Sequence, residues 1–173
     1  MISIDNTMQS TVTRAISRRQ FLRGNFHKEK EDVRPPWALP ENDFINTCSR
    51  CGECEDKCPE KIIVKGDGGF PSINFDLGGC TFCEECVDVC KTSAIVKTHA
   101  EAPPWALKAQ IGQSCVAKKG VECRICGDSC EVEAIHFRYA LGAVAQPEIN
   151  DSTCTGCGAC VADCPVNAVD IRN

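Results

Sequence analysis

The chain has no long apolar run. No stretch approaches the roughly 18 residues that would suggest a membrane span. No segment of about 7 to 15 apolar residues stands where an export signal would require one, and the expectation is a cytoplasmic protein. Histidine is scarce, with three in 173 residues. His27, His99 and His136 are scattered, which suits structural or solvated roles better than ligation. There is no phosphate-binding loop, dinucleotide fingerprint or hydrolase nucleophile motif, so the chain reads as a relay without a substrate pocket and not as an enzyme. Core-building residues are also short. The hydrophobic share is 43%, but 16 of the 173 residues are cysteines, and without them about a third of the chain is left to fill a core. Metal–thiolate bonds must then supply folding free energy, and the metal-free chain is expected to be largely unfolded.

Cysteine is what the chain has in excess, and its order is regular. Cys48, Cys51, Cys54 and Cys58 are spaced C-x2-C-x2-C-x3-C and followed by Pro59. Cys80, Cys83, Cys86 and Cys90 repeat the spacing, as do Cys154, Cys157, Cys160 and Cys164 before Pro165. A stretched version runs Cys115-x7-Cys123-x2-Cys126-x3-Cys130, which places all 16 cysteines in four sets. This is the spacing of a bacterial iron–sulfur loop. Three thiolates at every third position can close around a small inorganic core, and soft sulfur suits metal centres that change oxidation state. The fourth cysteine lies too far along to join them comfortably, so one motif implies a partner motif. Zinc ribbons set two C-x2-C pairs well apart and rank second here, while a disulfide scaffold needs an export route and ranks last. Gly52, Gly79, Gly156 and Gly158 would let backbone amides approach cluster sulfurs, or simply permit tight turns.

The landmarks around the motifs recur. Arg34-Pro35-Pro36-Trp37-Ala38-Leu39 is echoed by Pro103-Pro104-Trp105-Ala106-Leu107, and Pro71-Ser72-Ile73-Asn74 by Pro147-Glu148-Ile149-Asn150. This is an internal duplication of a unit holding two motifs: residues 35–100 and 101–173, after a basic tail at 1–34. Each module reads as a cysteine loop, a helical turn and a short β-run, such as Ile62–Val64 or Ile135–Tyr139. Gly66-Asp67-Gly68-Gly69 then returns the first module to Ile73-Asn74-Phe75 as a hairpin. The fold class is α+β, with small cores stabilised by clusters, and Trp37 and Trp105 are expected to staple the module entrances. Two departures matter. Lys91 and Glu131 replace the proline after Cys90 and Cys130, so those exits should be less constrained. The long gap after Cys115, with Lys118 and Lys119, should leave the third core the most exposed.

Charge points to the partner. Residues 1–34 hold seven Lys and Arg against four Asp and Glu, so of the net charge of −5 the remaining residues carry −8. Four oxidised clusters at about −2 each would take that to roughly −16. This argues against nucleic acid and for a partner with a basic surface, with acidity that only keeps the protein soluble as the alternative. Within the tail, Ser17-Arg18-Arg19-Gln20-Phe21-Leu22-Arg23 looks like a twin-arginine motif. The charged run Gly24–Asp32 that follows cannot serve as the apolar part of a signal. Arg18, Arg19, Phe21 and Leu22 are therefore candidate partner contacts, with an incidental basic face as the alternative.

Together these features resemble the NapF family, ferredoxin-type accessory proteins of periplasmic nitrate reductase systems. The resemblance rests on Arg18-Arg19, the Arg-Pro-Pro-Trp at 34–37, the four cysteine motifs and the stretched Cys115–Cys123 gap. It implies tandem bacterial two-cluster ferredoxin-like modules carrying four [4Fe-4S] clusters. It further implies crossed ligation within each module. Cluster one would take Cys48, Cys51, Cys54 and Cys90, and cluster two Cys80, Cys83, Cys86 and Cys58. Cluster three would take Cys115, Cys123, Cys126 and Cys164, and cluster four Cys154, Cys157, Cys160 and Cys130. If each motif closed its own cluster the ligands would be the same. The implied partner is the precursor of the periplasmic nitrate reductase catalytic subunit, assisted in the cytoplasm before export. The alternative is a general electron relay between redox partners in a quinol- or ferredoxin-dependent chain, and a structural zinc protein is third.

Overall fold

Loops that must present a cysteine every third residue leave room for only short regular elements between them. The computed structural model describes residues 32–173; Arg18, Arg19, Phe21, Leu22 and His27 lie outside the described residues. Helix α1 (Glu41–Thr47) follows Pro40, carries Glu41 and Asp43 at its positive end, and is anchored by Phe44. Phe44 is wholly buried, at 0% exposure. The first half continues through α2 (Glu53–Lys57), β1 (Ile63–Lys65), β2 (Pro71–Ile73) and α3 (Glu85–Asp88). The second half contains β3 (Lys108–Ile111), α4 (Ile125–Asp128), β4 (Ile135–Ala140), β5 (Ala143–Ile149), α5 (Ala159–Ala162) and β6 (Val169–Arg172). This is the small mixed α+β content expected of tandem cluster domains.

The hairpins anticipated from sequence are present. β1 and β2 pair antiparallel with Ile63 opposite Ile73. β4 and β5 do so with Ile135 opposite Ile149 and a register shift between Arg138 and Ala140. The N–H of Ile73 donates to the Val33 carbonyl at 2.7 Å, and the Arg34 guanidinium spans Glu41 and the Pro71 carbonyl. Residues 32–34, read from sequence as the end of the tail, thus pack along the first hairpin.

Sequence reasoning missed the pairing that closes each half. β3 runs antiparallel to β6, from Lys108 opposite Arg172 to Ile111 opposite Val169. Its counterpart in the first half is a single bridge between Ala38 and Ile95. The Leu39 N–H donates to Ala94 at 3.0 Å and the Val96 N–H to Trp37 at 2.9 Å.

The core runs without a break from one half to the other, with Ile62 and Ile73 in the same cluster as Ala134, Val161 and Ile171. Both tryptophans sit where the halves meet. The Trp37 indole donates to the Ala102 carbonyl and the Trp105 indole to the Thr155 carbonyl, each at 2.9 Å. Rings of Trp37, Phe82, Trp105 and Phe75 follow one another edge to face, with centroids 6.3, 5.5 and 5.9 Å apart. The staples expected at the module entrances therefore also fasten one half to the other.

Candidate metal centre

Three of the four cysteine loops are shaped by left-handed backbone at fixed offsets. In the first, second and fourth motifs, Arg50 (φ 57°), Phe82 (φ 54°) and Gly156 (φ 73°) stand two residues after the leading cysteine. Gly52 (φ 83°), Glu84 (φ 67°) and Gly158 (φ 87°) stand four after it. For residues other than glycine this conformation costs about 1–2 kcal/mol, and each such side chain is held. Arg50 lies over the Phe70 ring, Phe82 packs between the two tryptophans, and Glu84 pairs with Lys97. The turns aim amides at sulfur: the N–H groups of Arg50 and Phe82 reach Cys48 Sγ and Cys80 Sγ, both at 3.4 Å. The stretched third motif replaces this double turn, and Arg124 there is at φ −130°.

The exits from all four motifs are alike, which corrects the expectation drawn from the missing prolines. Lys61, Ser93, Glu133 and Asn167, each three residues past the last cysteine of a motif, have φ of 55°, 58°, 50° and 48°. Each donates its N–H to that cysteine's carbonyl, at 3.3, 3.1, 2.9 and 3.2 Å. The buried residue that follows, Ile62, Ala94, Ala134 or Ala168, holds the turn from below. The Ala134 and Ala168 N–H groups then reach Cys130 Sγ and Cys164 Sγ at 3.2 Å, and that of Ile95 reaches Cys90 Sγ at 3.4 Å. Hydrogen bonding and burial close this turn with or without proline. The four turn residues share no chemical type, so only the constant offset could have revealed them.

Two spaces are each lined by four cysteines drawn from two motifs. One void is lined by Cys80, Cys83 and Cys86 together with Cys58. A second is lined by Cys115, Cys123 and Cys126 together with Cys164. Burial pushes Cys80 up to about 11 and Cys86 up to about 12, with Cys58 and Cys83 adding to both shifts. Burial likewise raises Cys126 to about 11, and Cys115, Cys123 and Cys164 add to it. Cys160 rises to about 12 through burial first, then Cys157, Cys126, Cys154 and Cys130. Cys54 rises to about 11 by burial, with Cys48 and Cys51 beside it. Near that set, Lys91, next to Cys90, pairs with Glu53 at 2.6 Å. Of the four sets named from sequence, two thus line a common space.

What such sets can hold follows from their spread. All 16 thiols are free, and among the described residues no three Cys, His, Asp or Glu side chains converge on a point that could hold one metal ion. A zinc site, with Zn–S bonds of about 2.3 Å, needs sulfurs under about 4 Å apart. Soft donors standing around a void, several of them receiving amide hydrogen bonds, fit a multi-iron core. The raised thiols keep their protons at neutral pH, so metal loading must release them.

Exposure contradicts the expectation for the third motif. Cys51 and Cys83 are the exposed thiols, and no cysteine of the second half is exposed. The stretched gap folds into a short 3-10 turn over Ala117–Lys119 that covers Cys115, which is 8% exposed. The Gln146 side chain donates to the Ala117 carbonyl at 2.7 Å, and Lys118 Nζ to that of Ile111 at 2.6 Å. Insertion here built a cover because the added residues found buried partners.

Paired motifs in each half, with thiols around voids and amides on sulfur, define a ferredoxin-type iron–sulfur protein. A family described as 4Fe-4S dicluster domain matches residues 47–94 and 119–168, and a second family of the same description matches 5–63. The chain is 45% identical to ferredoxin-type protein NapF of Haemophilus influenzae, over 91% of this chain and 94% of the relative. It is 44% identical to the NapF protein of Escherichia coli K12, over 88% and 92%. It is 31% identical to methylamine utilization ferredoxin-type protein MauM of Methylophilus methylotrophus, over 81% and 69%. The chain belongs to the NapF family of ferredoxin-type proteins. Such proteins transfer electrons, and the dicluster domains and sixteen cysteines indicate [4Fe-4S] clusters. Among the described residues no helix is long and apolar enough to cross a membrane.

Proposed function

We propose that the chain holds four [4Fe-4S] clusters and assists, in the cytoplasm, the maturation of the catalytic subunit of periplasmic nitrate reductase before its export. Cysteines from the first and second motifs hold clusters one and two by exchanging their fourth ligands, Cys90 and Cys58. Those from the third and fourth motifs hold clusters three and four by exchanging Cys164 and Cys130. The observation that carries this reading is the void shared by Cys115, Cys123, Cys126 and Cys164: a fourth thiol from far along the chain faces the same space as the first three. The similarity to NapF proteins along nearly the whole chain supports the maturation role, and Arg18, Arg19, Phe21 and Leu22 are the proposed client contacts.

Iron and acid-labile sulfide in anaerobically purified protein should reach about sixteen of each per chain. Affinity capture from cells with the cluster-loaded protein should retain the reductase precursor. A chain lacking residues 1–34 should lose it, and equal capture by both would remove the tail from the client surface. The second reading, a general electron relay, is favoured by exposed Cys51 and Cys83, which bring the first half's cores within a partner's reach. It predicts rapid reduction by a redox partner and no retention of the precursor.

A further inference from the structure

The halves touch at their metal-binding loops. The N–H of Cys80 donates to the Cys157 carbonyl at 2.7 Å, so a loop of the second motif lies on a loop of the fourth. Gly79 makes this approach possible: a Cβ there would stand 2.9 Å from the Cα, Cβ and N of Ala159. Gly158 does the same from the other side, since its Cβ would lie 2.0 Å from the Phe75 ring. Within each half the order is also fixed by packing. Helix α2, with Cys54, packs on α3, with Cys86, and α4, with Cys126, packs on α5, with Cys160.

We propose that the junction of the Cys80 and Cys157 loops is the electron crossing between the halves, so that the four cores stand in the order one, two, four, three. Gly79 and Gly158 are the positioning residues that keep this crossing short. The inference rests on the four-cluster reading and adds an order to it. Electron tunnelling falls off exponentially with distance, so a side chain forced between the loops slows the crossing without touching a ligand. With clusters bound, Cys58, Cys80, Cys83 and Cys86 would hold the core on one side of the junction and Cys130, Cys154, Cys157 and Cys160 the core on the other, and the exchange between them would be of one electron. No bond forms or breaks and no proton moves. Cores one and three then stand at the two ends of this order, and the order of the four cores in space is not their order in the sequence.

The test compares two double variants of the full chain, reconstituted with iron and sulfide and reduced with dithionite. Cys54→Ala with Cys126→Ala removes the outer cores and leaves two neighbours, whose electron paramagnetic resonance should be broadened and fast-relaxing through spin–spin interaction. Cys86→Ala with Cys160→Ala removes the inner cores and leaves two distant ones, whose spectra should be narrow and additive. The reverse pattern, or narrow spectra from both, overturns the order. Gly79→Val keeps all ligands and serves if a double variant loses its iron. Gly79 is not left-handed, so the valine acts by bulk. It should speed exchange of the Cys80 amide about tenfold or more and weaken the magnetic interaction between halves. Unchanged exchange and spectra with full iron overturn the crossing. Iron analysis of the parent separates the two failures: too little iron removes the four-cluster reading and the order with it, whereas full iron with the wrong spectra removes the order alone.

Discussion

In the first half a single bridge, Ala38 to Ile95, joins the start of the module to its end; in the second, β3 and β6 zip together over four residue pairs. The first half also carries both exposed thiols, Cys51 and Cys83, while the second has covered its own. One duplicated plan has thus been closed loosely on one side and tightly on the other. The difference teaches that cluster loops tolerate variation in what surrounds them as long as the turns at their exits persist. Those turns, at Lys61, Ser93, Glu133 and Asn167, are the same in both halves.

Removing the iron should break the comparison most completely. With the core so thin, chelation under anaerobic conditions should abolish most far-ultraviolet circular dichroism, and a compact metal-free form that melts cooperatively would contradict this. Followed by hydrogen exchange during slow iron loss, amides around Ala38 and Ile95 should open before those of Lys108–Ile111, because one bridge protects less than a ladder. Simultaneous opening would mean that the closures do not set local stability.

Glycine substitutions should separate loop geometry from the contact between halves. Gly52 and Gly158 share a left-handed backbone, at φ 83° and 87°, but a Cβ at Gly52 meets nothing while one at Gly158 meets Phe75. Gly52→Ala should cost only the conformational term, about 1–2 kcal/mol. Gly158→Ala adds overpacking at the junction, about 1–3 kcal/mol more, visible as a larger fall in melting temperature of the loaded protein. Equal falls would show that the junction yields freely.

The cover over Cys115 gives a smaller effect. Gln146→Ala removes the bond to the Ala117 carbonyl and should cost about 1 kcal/mol. During stepwise ferricyanide oxidation of the parent, cores of the first half should be lost first, since their thiols are the exposed ones. The variant should narrow that gap, and an unchanged order of loss would show that the turn does not shield the third set.

Acidity gives the gentlest test. Burial raises thiols in both halves, from Cys54 at about 11 to Cys160 at about 12. Any folded metal-free form would keep this contribution to stability below the ordinary thiol range near 9 and lose it as pH rises toward 11 or 12. Loading runs the other way: because it expels those protons, apparent iron affinity should rise between about pH 6 and 9. A pH-independent affinity would mean that the thiols had already lost their protons.

Much of this was legible in advance because it is local. Hairpin β1–β2 could be read from a β-run, a glycine turn and a second run, and the helical turns from the cysteine spacing. The closing strands were not legible, since nothing in Lys108–Ile111 names Val169–Arg172 as its partner. The cover at Ala117 was misread as exposure because its hydrogen-bond partner, Gln146, lies 29 residues away. The sequence offers Gly79 and Gly158 as room for amides at sulfur or as permissive turns; Gly158 is left-handed at φ 87°, and both glycines also make room for the opposite half.

The sequence by itself determined the donors: sixteen soft sulfurs, grouped by spacing that only local backbone geometry needs to satisfy. Tertiary structure alone decided which distant thiol shares a void with which three, which thiols meet solvent, and that the second and fourth loops touch. These are contacts between residues far apart in the chain, fixed by the packing of Phe75, Phe82, Trp37 and Trp105 where the halves join, and spacing along the chain does not encode distance through space.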